Sequence, residues 1–213
     1  MKNKWSEITV NEFVQLEQIL KSEIPESYRT VNVVALLSNQ TVDEVEDLPA
    51  SSFMKLARDL KFIEDKPKDR KVKSSYKVNG RSYQLHADIT KISTAQYIDY
   101  QNYMKEEEKD MTKLLSCWMI PKGHKYNDGY DMQQVINDCG DMLLEDALGI
   151  AFFFAKQSAA YILILKESLS KNLTTLEMDK KKIEELETLL NNMAYYHWCL
   201  PYAEKPILRW NMY

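Results

Sequence analysis

Between Asp146 and Lys171 the chain carries the run AFFFAKQSAAYILILKESL, which predicts one long helix, apolar on nearly every side. Lys156 interrupts it, and no uncharged apolar run in the chain reaches the ~18 residues a membrane span needs. Such a helix has to be covered by protein. Phe152, Phe153, Phe154 and the stretch Tyr161–Leu165 are too large and too apolar to face water on more than one side. A central core helix of a monomer and a helix shared between subunits fit this pattern equally well. If the core reading holds, Phe153→Asp places an unpaired charge in an apolar site and costs several kcal/mol. Ser158 and Ser168 on the same helix read as hydroxyls bonded back to a carbonyl one turn earlier.

Around this segment the signals are mostly helical. With only 5 Gly and 6 Pro in 213 residues, the chain lacks the turn residues of a loop-rich β protein. Thr9-x-x-Glu12 has the form of a capping box and opens a helix over Val10–Ser22, with Phe13, Leu16, Ile19 and Leu20 as its stripe. A second helix follows over Glu26–Asn39, then a short helical turn over Thr41–Asp47. A third helix covers Ser51–Asp65, with Phe53, Met54, Leu56, Ala57, Leu60 and Phe62 directed inward. In SSYKVNGRSYQLHA, the pair Asn79-Gly80 between alternating residues predicts a tight hairpin with Tyr76 opposite Tyr83. Ser93-x-x-Gln96 reads as another capping box, opening a helix to about Glu107. Met111–Ile120 reads as a helix stopped by Pro121, PKGHKYNDGYD as a loop, and Met132–Cys139 as a short helix. The apolar helix spans Glu145–Lys171, and Thr174-x-x-Glu177 caps a last one over Leu176–Tyr195.

The expected fold is therefore mainly α: a helical bundle with one small β-hairpin and an extended aromatic C-terminal tail. Residues 1–65 form an N-terminal helical segment, and 66–74 a solvated basic linker. Residues 75–197 form the hairpin plus helical core, and 198–213 an extended arm.

The residues that usually carry chemistry are sparse. His86, His124 and His197 have no second ligand at helical spacing, so no metal site is expected. The 3 cysteines, Cys117, Cys139 and Cys199, are odd in number and lack CxxC spacing, which predicts reduced, buried thiols in an intracellular protein. No nucleophile elbow, P-loop or GxGxxG occurs, and no cofactor is predicted. Asn127-Asp128-Gly129 with Asp131 lacks the alternating ligands of a calcium loop and reads as a turn. The acids Asp43, Glu44, Glu46 and Asp47 read as a solvated surface rather than as an acid/base pair. A net charge of −4 argues against bulk attraction to nucleic acid, and Asp69 dilutes the basic run Lys66–Lys73. The N-terminus has no apolar stretch of the kind a secretory signal needs. No catalytic residue is assigned, and no enzymatic activity or membrane association is expected.

Contact surfaces are what remain. The 10 Met and 13 Tyr suit them, since Met adapts its shape and Tyr joins a large apolar body to a polar tip. An isolated hairpin is barely stable, so Tyr76, Val78, Tyr83 and Leu85 must pack on helices or join another chain's sheet. The tail carries Trp198, Tyr202, Ile207, Leu208, Trp210 and Tyr213, too many large apolar groups for a free end. These ten residues are the partner-interface candidates.

Three segments also carry a resemblance: KISTAQYIDYQNYMKE, LLSCWMIPKGHKYNDGYD and LEDALGIAFFFAKQSAAYILILKESL. Their pattern is a T-x-Q-[FY]-I-D helix start, an I-P-x-G-x-x-Y loop, and an acidic residue ahead of a Phe-rich helix. Together, over about Tyr76–Ser170, they resemble proteins encoded among the virion genes of tailed phages that infect Bacteroidetes, including the crAss-like phages. The resemblance implies a structural or assembly role. One form is an oligomeric ring or adaptor at the portal–tail junction, touching portal or tail components and located in the virion after assembly in the host cytoplasm. The other is a tail assembly chaperone that does not remain in the particle.

Overall fold

The computed structural model describes residues 1–106 and 110–157. The expected helix Leu176–Tyr195, the Thr174 box, Ser158, Ser168, His197 and Cys199 lie outside the described residues. So do the tail candidates Trp198, Tyr202, Ile207, Leu208, Trp210 and Tyr213.

The protein is mainly helical with a small antiparallel sheet. Helix α1 spans Val10–Lys21 and starts as its sequence dictates. Thr9 Oγ1 accepts from the Glu12 N–H, and Glu12 Oε2 accepts from the Thr9 N–H at 2.9 Å. Its stripe of Val10, Phe13, Leu16 and Leu20 is buried against helix α2, Glu26–Ser38, which contributes Val33, Val34, Ala35 and Leu37. Asn39 ends α2 in the left-handed region at φ 56°, a conformation Asn tolerates. Thr41 and Glu44 form a second reciprocal box, which opens the short helix α3, Val42–Glu46. Glu44 of the acidic cluster is thereby a capping residue.

The third expected helix is split. Helix α4 spans Ala50–Asp59 and tightens into a 3-10 turn over Leu60–Glu64. Met54, expected inside, is 59% exposed, while Leu60 and Ile63 take the buried positions. Met54 stands one position off the Phe53, Leu56, Leu60 spacing that packs on the core, and the tightened turn gives the next buried position to Ile63 rather than Phe62. Trp5 fastens this turn to the N-terminus. Its Nε1 donates to the Asp65 carbonyl at 2.8 Å, and its ring meets Phe62 edge-on at 5.2 Å.

The hairpin forms as predicted. Strands β1, Ser75–Val78, and β2, Arg81–Leu85, place Tyr76 opposite Tyr83. The turn residues Asn79 and Gly80 both take positive φ, 49° and 78°, which is what the Asn-Gly pair supplies. A third strand is new. Helix α6, Met111–Ser116, stops early, and β3, Met119–Pro121, pairs with the far edge of β2, Leu85 opposite Met119. The sequence reading ran the helix on to Ile120. Cys117–Ile120 is buried throughout, so no amphipathic period marks the change. The following proline favours extended backbone at Ile120.

Helices α5, Thr94–Lys105, and α7, Met132–Gly140, flank the sheet, and α8 runs over residues 144–157. One apolar cluster joins Trp5, the α1–α2 pair, the sheet and α8 through Phe154. Backbone bonds from Val10 to the Met142 carbonyl and from Leu144 to the Ile8 carbonyl tie the N-terminal segment to the start of α8.

The basic segment 66–74, expected as a solvated linker, keeps most of its side chains exposed but is tied to α8 at Arg70 and Lys73. Arg70 donates its backbone N–H to the Glu145 carbonyl and its Nε to Glu145 Oε2 at 2.9 Å. Lys73 Nζ lies 3.3 Å from Asp146 Oδ1. Gly149 of α8 makes the approach possible, because a Cβ there would collide with the Arg70 carbonyl oxygen. Phe153 is only half-buried, whereas Phe154 is 5% exposed and stacks on Trp118 at 4.0 Å.

Candidate functional site

The hairpin candidates face the wrong way for a partner surface. Tyr76, Val78, Tyr83 and Leu85 are each no more than 9% exposed, inside the chain's own core. The strand alternation that made them look like an apolar face is satisfied internally, by α7, β3 and α8. What β1 leaves open is its backbone edge. Val78 and Arg81 flank the two-residue turn, so Val78–Arg81 and Tyr76–Tyr83 are the hydrogen-bonded pairs. The N–H and C=O groups of Ser75 and Lys77 therefore point away from β2, and no backbone group among the described residues meets them. A groove of about 430 Å³ runs beside this edge, lined by Lys73, Lys77, Asn79, Asp141 and Asp146. Beyond the two ends of β1, Asn79 Nδ2 donates to Asp141 Oδ2 at 2.7 Å and Lys73 pairs with Asp146.

Two buried polar side chains organise the region: Asp138, which the sequence reading passes over, and Gln96, which it reads only as a capping residue. Asp138 of α7 is 1% exposed and accepts from four side chains of three segments. Arg81 forks onto it, Nε to Oδ2 at 2.6 Å and Nη2 to Oδ1 at 2.7 Å. The Tyr83 hydroxyl donates to Oδ2, Asn79 to Oδ1 at 3.0 Å, and Gln134 to Oδ1 at 3.2 Å. The Arg81 fork, against the opposing effect of burial, holds the Asp138 carboxyl well below the usual carboxylate range. Burial, and then the bond to Asp138, push the Tyr83 phenol well above its ordinary value. A readable signal existed: Asp138 occupies an i+3 position in the stripe Val135, Cys139, Met142, where a lone acid must have partners.

Gln96 of α5 is the second hub, with no exposed surface. Its backbone N–H bonds to Ser93 Oγ, which makes half of the expected capping box. Its side chain turns inward instead of back to Ser93: Nε2 donates to the Cys117 carbonyl at 2.7 Å, and Oε1 meets His86 Nδ1 at 3.2 Å. One turn on, Asp99 Oδ2 accepts from the Tyr126 hydroxyl at 2.8 Å. Trp118 lies between Tyr100, edge-on at 5.4 Å, and Phe154.

Burial raises both described cysteines, Cys117 to about 12. Neither offers a thiolate at neutral pH. Among the described residues no group of three or more His, Cys, Asp or Glu is placed to hold a metal ion. No helix among them is long and apolar enough to cross a membrane. Asn127 and Gly129 adopt positive φ in a turn, and Asp131 accepts from the Gln133 N–H to cap α7. On the outer surface Tyr97 and Ile98 of α5 stand 47% and 50% exposed, an apolar pair on a helix whose one buried residue is Gln96.

The fold thus defines a mainly helical protein with a three-stranded antiparallel sheet and two internal polar hubs. Comparison with protein-family models, with curated proteins and with solved structures finds no match in any of the three.

Proposed function

We propose that this chain is a non-enzymatic structural subunit of a tailed-phage virion, part of an oligomeric ring or adaptor at the portal–tail junction. The observation that carries the reading is where the three resembling segments meet. T-x-Q-Y-I-D supplies Gln96 and Asp99, the segment around I-P-x-G-x-x-Y supplies Cys117, Trp118 and Tyr126, and the Phe-rich helix supplies Phe154. These residues bond or stack directly onto one another. The residues behind the resemblance are architectural, and they brace α5 so that Tyr97 and Ile98 project from it. The β1 edge offers a neighbour main-chain donors and acceptors. Short and lysine-bearing, it resists indiscriminate pairing.

Quantitative mass spectrometry of purified particles tests the proposal. A ring subunit appears there at a fixed copy number, and its absence from particles sinks the reading. A second reading, a tail assembly chaperone not retained in the virion, is favoured by the groove beside the open edge, which would cradle an extended client segment. That reading requires the protein in infected cells, bound to a tail component, and none in finished particles.

A further inference from the structure

A second cleft, of about 460 Å³, opens between β2, the loop after β3 and the first turn of α5. We propose that it binds a phosphate-type oxyanion. Its lining brings together His86 and Gln84 from β2 and its continuation, Lys91 and Ser93 from the approach to α5, and His124 and Lys125 from the loop. No carboxylate lines it, although the chain as a whole is acidic. The groove beside β1 makes the contrast, since there Asp141 and Asp146 stand opposite the lysines.

The hydrogen bonds fix how the imidazoles present themselves. Gln96 Nε2 is committed to the Cys117 carbonyl, so its Oε1 is the atom facing His86, and His86 Nδ1 must be the donor. His124 Nδ1 lies 3.0 Å from the Asp128 carbonyl oxygen and must donate likewise. On each of these cleft-lining rings, Nε2 is the nitrogen these bonds leave unused. Ser93 Oγ accepts from the Gln96 N–H, which frees its hydroxyl proton to donate. The Asp99 carboxylate, on the next turn of α5, is taken up by Tyr126. Asp88 pairs with Lys91 at 2.8 Å, while Lys125 has no acidic partner among the described residues.

The donors converge from three segments and outnumber what one carboxylate can accept, whereas a tetrahedral phosphate offers an oxygen in each direction. Two imidazole nitrogens alone would also suit a transition metal. Lys91 and Lys125 oppose a cation there, and no third metal-ligating group is in place. Neutral imidazoles present lone pairs at Nε2, so an oxyanion must draw a proton onto them. Binding is therefore coupled to the uptake of a proton by each ring that donates. This inference is independent of the virion proposal.

Calorimetric titration of the full chain with inorganic phosphate tests it, with histidine ring proton shifts followed by NMR. Saturable binding at millimolar concentration or below is expected, with the ring protons of His86 and His124 both shifting. His124→Gln and Lys125→Gln should each weaken binding by a few fold. Both positions are exposed, so the fold survives either change. A short single-stranded DNA titrated in parallel distinguishes the source. Tighter DNA binding, lost in the same variants, assigns the phosphate to a nucleic-acid strand; phosphate binding without DNA binding assigns a free anion or small phosphoester. No saturable phosphate binding at millimolar concentration, binding unchanged in both variants, or Zn²⁺ shifting both rings where phosphate does not, overturns the proposal.

Discussion

Asp138 and Gln96 are both buried polar side chains that join remote segments, yet they do it with different electrostatics. Asp138 is a charge. It locks the hairpin turn to α7 by gathering Arg81, Tyr83, Asn79 and Gln134 around one carboxylate. Gln96 is neutral and joins α5 to the Cys117 carbonyl and to His86 with one donor and one acceptor. A buried charge stays in place only while every partner is present, and it answers to pH. A buried amide costs less to bury, is blind to pH, and fixes direction because its two ends differ. The hairpin side is thus held strongly but conditionally, and the α5 side more weakly but under all conditions.

The comparison breaks if the two hubs respond alike to removal. The largest effect is expected for Asp138→Ala, which strands the Tyr83 hydroxyl and the Arg81 fork. A loss of about 3 kcal/mol in urea unfolding is expected, moderated because Arg81, 48% exposed, can rehydrate. Gln96→Leu keeps the volume but leaves the Cys117 carbonyl and His86 Nδ1 without partners, for a loss of about 2 kcal/mol in the same assay. A Gln96 variant costing more than the Asp138 variant would reverse the ranking.

A pH series sharpens the contrast. The folded Asp138 carboxyl titrates below its unfolded value, so its contribution is complete above the ordinary aspartate range near ~3.9 and is lost as the pH falls further. Tyr83 titrates above its unfolded value, so its share is complete below about pH 10 and is lost as the pH rises beyond that. Acid unfolding should therefore be steeper in the wild type than in Asp138→Asn, while Gln96→Leu should lower stability without changing the slope. Equal slopes in the wild type and Asp138→Asn would remove the carboxylate from the account. The smallest effect belongs to Tyr126→Phe, which deletes one partly buried bond to Asp99; about 1 kcal/mol in thermal melts is expected.

The parts of the fold that read correctly share a cause. The Thr9 box and the Asn79-Gly80 turn are settled by residues within four positions, so the text that specifies them is contiguous. Strand β3 pairs with residues some 35 positions earlier, and its consecutive residues Met119 and Ile120 are both buried, so neither partner nor period shows in its letters. Gln96 was placed at the right helix position but given the wrong bond: a distant carbonyl took the side chain that local geometry would have sent back to Ser93. His86 and His124 looked unrelated at their separation, and only the β2–β3 pairing sets them on one cleft. The hairpin alternation correctly marked a buried face but not what buries it.

The amino-acid order alone determined where helices start, where the chain reverses, and that large apolar surface must be covered, because caps, turns and hydrophobic period act over a few residues. Tertiary structure alone decided which buried polar groups meet, that the basic segment lies against α8, and which sheet edge stays open. Those outcomes depend on desolvated contacts between residues tens of positions apart. Their energies exist only once the chain has closed around them.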